Sequence, residues 1–189
     1  MEESGANVAK SLDHFRPVLL TLAEAMISST LRGDLEASDL VQQTLLEALC
    51  NAEQLALMSR DALFSWLRSA LRHNVLDEVK HLMAQKNDIR RRVRASDLEA
   101  SFIKLEQILI ADETSPSDVV QRNEQICIML SAIQTLPDNQ RRAVILNHLN
   151  GRSLSETAEA LGLSESAVGG ALHRGRKQLA KCLEEQSDD

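Results

Sequence analysis

The sequence predicts an all-α protein of two helical domains joined by a linker, and three observations predict it. Hydrophobic residues make up 43% of the 189-residue chain, aromatics only 2%, and Tyr is absent. The apolar content is therefore mostly Leu and Ala, which lose little side-chain freedom in a helix. Apolar positions recur at spacings of three and four on both sides of the middle of the chain, the period of helices with one buried face. Between them, from about Ala95 to Gln121, this pattern weakens to one short run, Phe102 to Ile110, followed by the turn-rich DETSPSD at Asp112 to Asp118. Such a composition reads as an interdomain connection. The expected domains are residues 1–95 and 122–189, with a linker at 96–121, and each domain is long enough to close a small core.

In the first half, Leu12, Phe15, Leu19, Leu22, Met26 and Ile27 keep helical spacing, interrupted only by Pro17, and Gly33 ends the segment. Leu40, Val41, Thr44, Leu45, Ala48 and Leu49 form the stripe of a second helix. A third helix carries Leu63, Trp66, Leu67, Ala70, Leu71, Val75, Val79 and Leu82, with Ser59 placed to cap its start. Three striped helices imply a bundle. Beyond the linker, Ile126, Met129, Leu130, Ile133 and Leu136 mark a helix that stops at Pro137, and another runs to Gly151, a suitable C-terminal cap.

Charge is distributed unevenly. The formal total is −7, yet residues 1–64 carry −6, 65–94 carry +5, 95–136 carry −5 and 137–189 carry −1. A basic segment between acidic ones can meet phosphate while the acidic surfaces discourage indiscriminate binding. The weak total suggests that tight DNA binding needs a partner. Cys50, Cys127 and Cys182 are far apart, and His14, His81 and His148 have no ligand-like spacing, so neither a metal site, a disulfide framework nor a cofactor is expected. MEESGANVAK at the start is acidic and lacks an apolar run, and nowhere do eighteen apolar residues stand together. A signal peptide and a membrane span are not expected; a reduced, soluble, cytoplasmic protein is. No Gly-rich phosphate loop, nucleophile and base pairing or close carboxylate pair points to an enzyme.

The most informative segment runs from Arg152 to Leu179. Ser153 followed by Glu156 is a capping box, so a short helix starts at Leu154, with Leu154, Ala158 and Leu161 inward. It gives way at Gly162, and Ser164 can cap a second helix. This is helix-turn-helix chemistry. The second helix buries Val168, Leu172, Leu179 and Leu183, with Gly175 on the same stripe. Opposite lie Ser166, Gly170, His173, Arg176 and Lys177, with Gly169 and Arg174 beside them, and from Ser166 to Lys181 there are four basic residues and no acid. A helix of this kind can enter a major groove.

Leu136, Pro137, Gln140, Arg141, Gly151, Ser153, Glu156, Ala158, Leu161, Gly162, Arg174 and Gly175 stand in the register of region 4 of the sigma-70 family, which the segment resembles. Two further blocks resemble region 2: ASDLVQQTLLEA, Ala37 to Ala48, is similar to the helix that grips the polymerase clamp, and FSWLRSALRHNVLDEVK, Phe64 to Lys80, to the helix facing the −10 element. With no further domain between or before these blocks, the resemblance is to the small extracytoplasmic-function (ECF) type.

The resemblance implies a non-enzymatic factor that binds core RNA polymerase and directs it to promoter DNA, and it leaves open an anti-sigma antagonist. It places −35 contacts at Ser164, Ser166, Gly169, Gly170, His173, Arg174, Arg176 and Lys177. Contacts to −10 DNA fall at Arg68, Arg72, Asn74, Asp77 and Lys80, and polymerase contacts at Asp39, Leu40, Gln42 and Gln43. Two departures stand out: Val168 is followed by Gly169 and Gly170 where the family often has Lys or Arg, and Lys80 replaces a frequent Arg, losing the bidentate fork. Arg90, Arg91, Arg92 and Arg94 suit loose backbone contact, and Trp66, which could stack on a base, suits the core better. A stand-alone helix-turn-helix regulator is the alternative, but it leaves the two N-terminal blocks unexplained.

Overall fold

In the computed structural model, residues 2–27, 31, 33–85 and 116–187 are described, and all regular structure among them is helical. The chain divides into two compact units, Met1–Leu98 and Glu99–Asp189. Arg90 to Arg94 and the run Phe102 to Ile110 lie outside the described residues.

Among the described residues, the N-terminal unit holds α1 (Glu2–Met26), α2 (Ala37–Cys50), the short α3 (Ala52–Leu55) and α4 (Arg60–Gln85). Helix α1 packs against both α2 and α4, and these two pack against each other. Leu19, Leu22, Val41, Leu67, Leu71 and Val75 are completely buried at their junction. Pro17 does not end the helix: α1 runs through it. An interior proline costs about 3 kcal/mol. Phe15, Val18, Leu19 and Leu22, which flank it, are all buried, and each contributes about 1.5–3 kcal/mol, so the packed face outweighs the lost hydrogen bond. Ser59 caps α4 by accepting from the Ala62 N–H at 3.2 Å.

Phe15 and Phe64 stack between α1 and α4, with ring centroids 5.7 Å apart and planes inclined by 7°. Arg60 lies over the Phe15 ring at 6.0 Å and Arg68 over the Phe64 ring at 5.4 Å. Two cations thus bracket an aromatic pair, an arrangement in which each guanidinium meets the negative face of a ring.

Among the described residues, the C-terminal unit holds α5 (Pro116–Gln134), α6 (Asp138–Val144) continuing into a π turn (Ile145–Leu149), α7 (Leu154–Leu161) and α8 (Glu165–Ser187). Helix α5 begins inside the stretch expected to be linker, so residues 116–121 are helical. The reason is Pro116 at the first helical position, where a missing N–H costs nothing and the fixed φ suits a helix. The rest of that stretch, 96–115, lies outside the described residues.

Both sides of the capping box form: Glu156 N–H donates to Ser153 Oγ at 3.2 Å, and Ser153 N–H donates to Glu156 Oε2 at 2.8 Å. Gly162 closes α7 at φ 65°, and the Leu163 N–H returns to the Ala158 carbonyl at 3.0 Å. Gly151 likewise has positive φ, 60°, at the end of the π turn. Leu154, expected inward, is 36% exposed, and Thr157 takes the buried place with Ala158. The capping box turns the first residue of α7 outward, while the Thr157 hydroxyl is satisfied by donating to the Ser153 carbonyl at 2.8 Å.

Candidate nucleic-acid interface

On α8, Val168, Ala171, Leu172 and Gly175 are buried, and Leu179 and Leu183, expected in the core, are half-buried. Gly175 permits close approach to α6: a β-carbon there would lie 3.2 Å from Val144 Cγ2 and 3.7 Å from both Gln140 Cβ and Leu136 Cδ1. Helix α8 is thereby seated directly on the unit's core.

Outside, Ser166, His173, Arg174, Arg176, Lys177 and Lys181 are exposed. At about 100° per residue, Ser166, Gly170, His173 and Lys177 lie along the centre of one strip. Arg174 and Arg176 fall on its opposite flanks. Arg174 folds back along the helix, since a β-carbon on Gly170 would meet its Nη1 at 3.2 Å. Gly169, by contrast, would meet nothing within 4 Å. Ser164 Oγ accepts from the Ala167 N–H at 3.2 Å, the capping role expected of it, and the residue is exposed at the start of α8.

Arg176 also bears on the π turn. His148 is exposed at its surface, but partial desolvation against the π turn, reinforced by the positive charge of Arg176, holds it below the ordinary histidine range. The unfolded chain therefore takes up this proton first. The contribution of His148 to the stability of the C-terminal unit is expected to be full above the ordinary histidine pKa and to fall as pH drops through that range toward the lowered folded-state value. Urea midpoints at about pH 7.5 and about pH 5.5 measure it, and His148→Gln should remove part of the difference. An unchanged pH dependence in the variant contradicts the assignment.

In the N-terminal unit, Arg72, Asp77 and Lys80 are exposed on α4 together with His73. Lys80 Nζ donates to Asp77 Oδ1 at 2.9 Å, and this hydrogen bond and charge hold Asp77 below the ordinary carboxylate range. Arg68 is half-buried over Phe64. Asn74, expected at the DNA, is instead 7% exposed and turned inward. Its Nδ2 donates to Thr44 Oγ1 at 3.0 Å and its Oδ1 accepts from Gln43 Nε2 at 3.3 Å. An amide buried between two helices is stable there because the partner helix supplies both partners.

On α2, Asp39, Gln42 and Gln43 are exposed. Leu40, expected at the polymerase, is 4% exposed and belongs to the core: it lies about 100° from Asp39, on the side facing α1 and α4. The same outer face instead carries Leu46 and Leu49, 55% and 44% exposed. Leu49, placed by its spacing in the buried stripe, is thus exposed, and Leu46 joins it outside that stripe. The signal for Leu46 was its place seven residues after Asp39, two helical turns along one face. Trp66 is half-buried.

A helix-turn-helix unit with a cation-flanked outer strip, carried on a chain with a separate three-helix core, has the form of a DNA-binding protein. Comparison with known proteins agrees. The family profile described as sigma-70, region 4, matches residues 128–179. ECF RNA polymerase sigma factor SigX of Bacillus subtilis is 28% identical over 150 residues, 79% of this chain and 71% of the relative. BldN of Streptomyces coelicolor, also an ECF RNA polymerase sigma factor, is 28% identical over 80% of this chain and 52% of its own length. SigW of Bacillus subtilis is 25% identical over 78% and 75% respectively. The chain is thus similar over most of its length to extracytoplasmic-function members of the sigma-70 family, and residues 128–179 match that family's region 4. No helix among the described residues is long and apolar enough to cross a membrane.

Proposed function

We propose that this chain is a sigma factor: it binds core RNA polymerase and directs it to specific promoters. The observation that carries this reading is the outer strip of α8, borne on the segment that the region 4 profile matches. Residues 122–189 are the −35 domain, and residues 1–95 hold the polymerase and the −10 element through the outer faces of α2 and α4. The chain makes and breaks no bonds; its chemistry is position.

With α8 in a major groove, Ser166, Gly170 and His173 face base edges, with Lys177 on the same line. Arg174 and Arg176, on the two flanks, suit phosphates of the two groove walls. On α2, Asp39, Gln42 and Gln43 border the exposed Leu46 and Leu49, a face on which apolar contact adds to polar contact.

The test is promoter binding by the full chain with and without core polymerase. Binding should require the polymerase; a stand-alone regulator would footprint DNA by itself. In holoenzyme on promoters varied only at −35, Arg176→Ala should weaken binding alike on all sequences and lower the salt slope by about one ion. Changing Ser166 should alter the preferred base, by roughly 1–3 kcal/mol. If Arg176→Ala changes base preference at constant salt dependence, the roles of centre and flank are reversed.

A further inference from the structure

Thr44 and Asn74 meet between α2 and α4, 0% and 7% exposed, and the other buried side chains of these two helices are apolar. The hydrogen bonds between them form a directed chain. Gln43 Nε2 donates to Asn74 Oδ1 at 3.3 Å and to Glu47 Oε1 at 3.4 Å. Asn74 Nδ2 donates to Thr44 Oγ1 at 3.0 Å, and the Thr44 hydroxyl gives its one proton to the Leu40 carbonyl at 2.8 Å. Each donor has an acceptor, and the chain crosses from the exposed face of α2 to the middle of α4.

Apolar contact alone does not specify register, because it is non-directional and tolerates sliding and rotation. Buried hydrogen bonds do specify it: any shift of α4 along α2 leaves an amide or hydroxyl unpaired in a dry contact. The register matters here because the outer faces of these two helices are read above as the polymerase and −10 DNA surfaces. The angle between those faces is the angle at which DNA is presented to the polymerase.

We propose that Asn74 is a positioning residue: through Thr44 and Gln43 it locks the register of the DNA-facing helix α4 against the polymerase-facing helix α2. The proposal rests on the assignment of those two faces. It predicts that function is lost without loss of fold, since a buried polar pair replaced by apolar residues of similar volume commonly keeps or gains stability.

The experiment uses the full chain in holoenzyme with core RNA polymerase and follows the melting temperature, core affinity and rate of open-complex formation. The double variant Thr44→Val/Asn74→Leu, which leaves no buried group unpaired, should keep the parent's melting temperature and core affinity. Its promoter opening should slow by about tenfold. Thr44→Ser, which retains the hydroxyl, should open promoters at the parent rate. Parent-like opening by the double variant overturns the proposal. So does slow opening that tracks a fall in melting temperature and core affinity, because the network would then be simple packing. Arg72→Ala on α4 and Asp39→Lys on α2 test the underlying assignment. If the first leaves opening and the second leaves core affinity unchanged, the faces are misassigned and the proposal falls with them, whatever Asn74 does.

Discussion

Replacing Gly175 by valine should cost the C-terminal unit about 3 kcal/mol, more than about 10 °C in melting temperature for a domain of this size. Even a single β-carbon at this position would lie 3.2 Å from Val144 Cγ2, and valine adds two methyl groups toward Gln140 and Leu136. These neighbours belong to α6 and to the turn before it, whose residues Leu136, Ala143 and Val144 are at most 2% exposed. The added atoms press on a packed contact and are expected to move α8 off its seat, which displaces its outer strip as a whole. Calorimetry should therefore show one transition lowered and another kept, and holoenzyme should lose discrimination at −35 while still binding core polymerase. A variant that melts like the parent would mean that the α6–α8 contact is looser than the distances imply.

Phe64→Ala should have the complementary effect. Phe64 is 1% exposed, and truncating a core phenylalanine costs about 3–5 kcal/mol. The loss goes beyond the cavity, because Phe15 loses its stacked partner and Arg68 the ring beneath it. Core polymerase affinity and −10 engagement should fall together, since α1, α2 and α4 share this core, while the isolated melting transition of the C-terminal unit stays in place. Phe64→Leu, which refills much of the volume without a ring, should recover most of the stability; failure to do so would assign more of the energy to the stack than to burial.

The helix-turn-helix was legible because its determinants are local. Ser153 and Glu156 are three residues apart, Gly162 needs only its own backbone, and Ser164 caps the helix it precedes, so reading a few neighbouring residues was enough. Features that depend on distant partners were not legible. Asn74 lies beside Val75 at the edge of an apolar stripe, and a polar residue there points to solvent unless something opposite can satisfy it. That partner, Thr44, is thirty residues earlier in sequence. Helix α2 posed the reverse problem. With apolar side chains at Leu40, Val41, Leu45, Leu46, Ala48 and Leu49, more than one stripe fits, and only packing against α1 and α4 shows that Leu40 is inside and Leu46 outside. Pro17 misleads for the same reason: its local cost was visible, while the burial that offsets it comes from other helices.

Gly169 has a longer consequence. It sits on the strip that α8 presents outward, in ordinary helical backbone, with nothing within 4 Å of where a side chain would begin. Almost any residue can be placed there without disturbing the core, and most would strengthen the helix, by up to about 1 kcal/mol over glycine. In a protein where most substitutions cost stability, this position gains from change. On the proposed reading of α8 as the −35 helix, a copy of this gene could acquire a new −35 preference by a single codon replacement and begin serving a different set of promoters, with no compensating mutation needed to keep the fold.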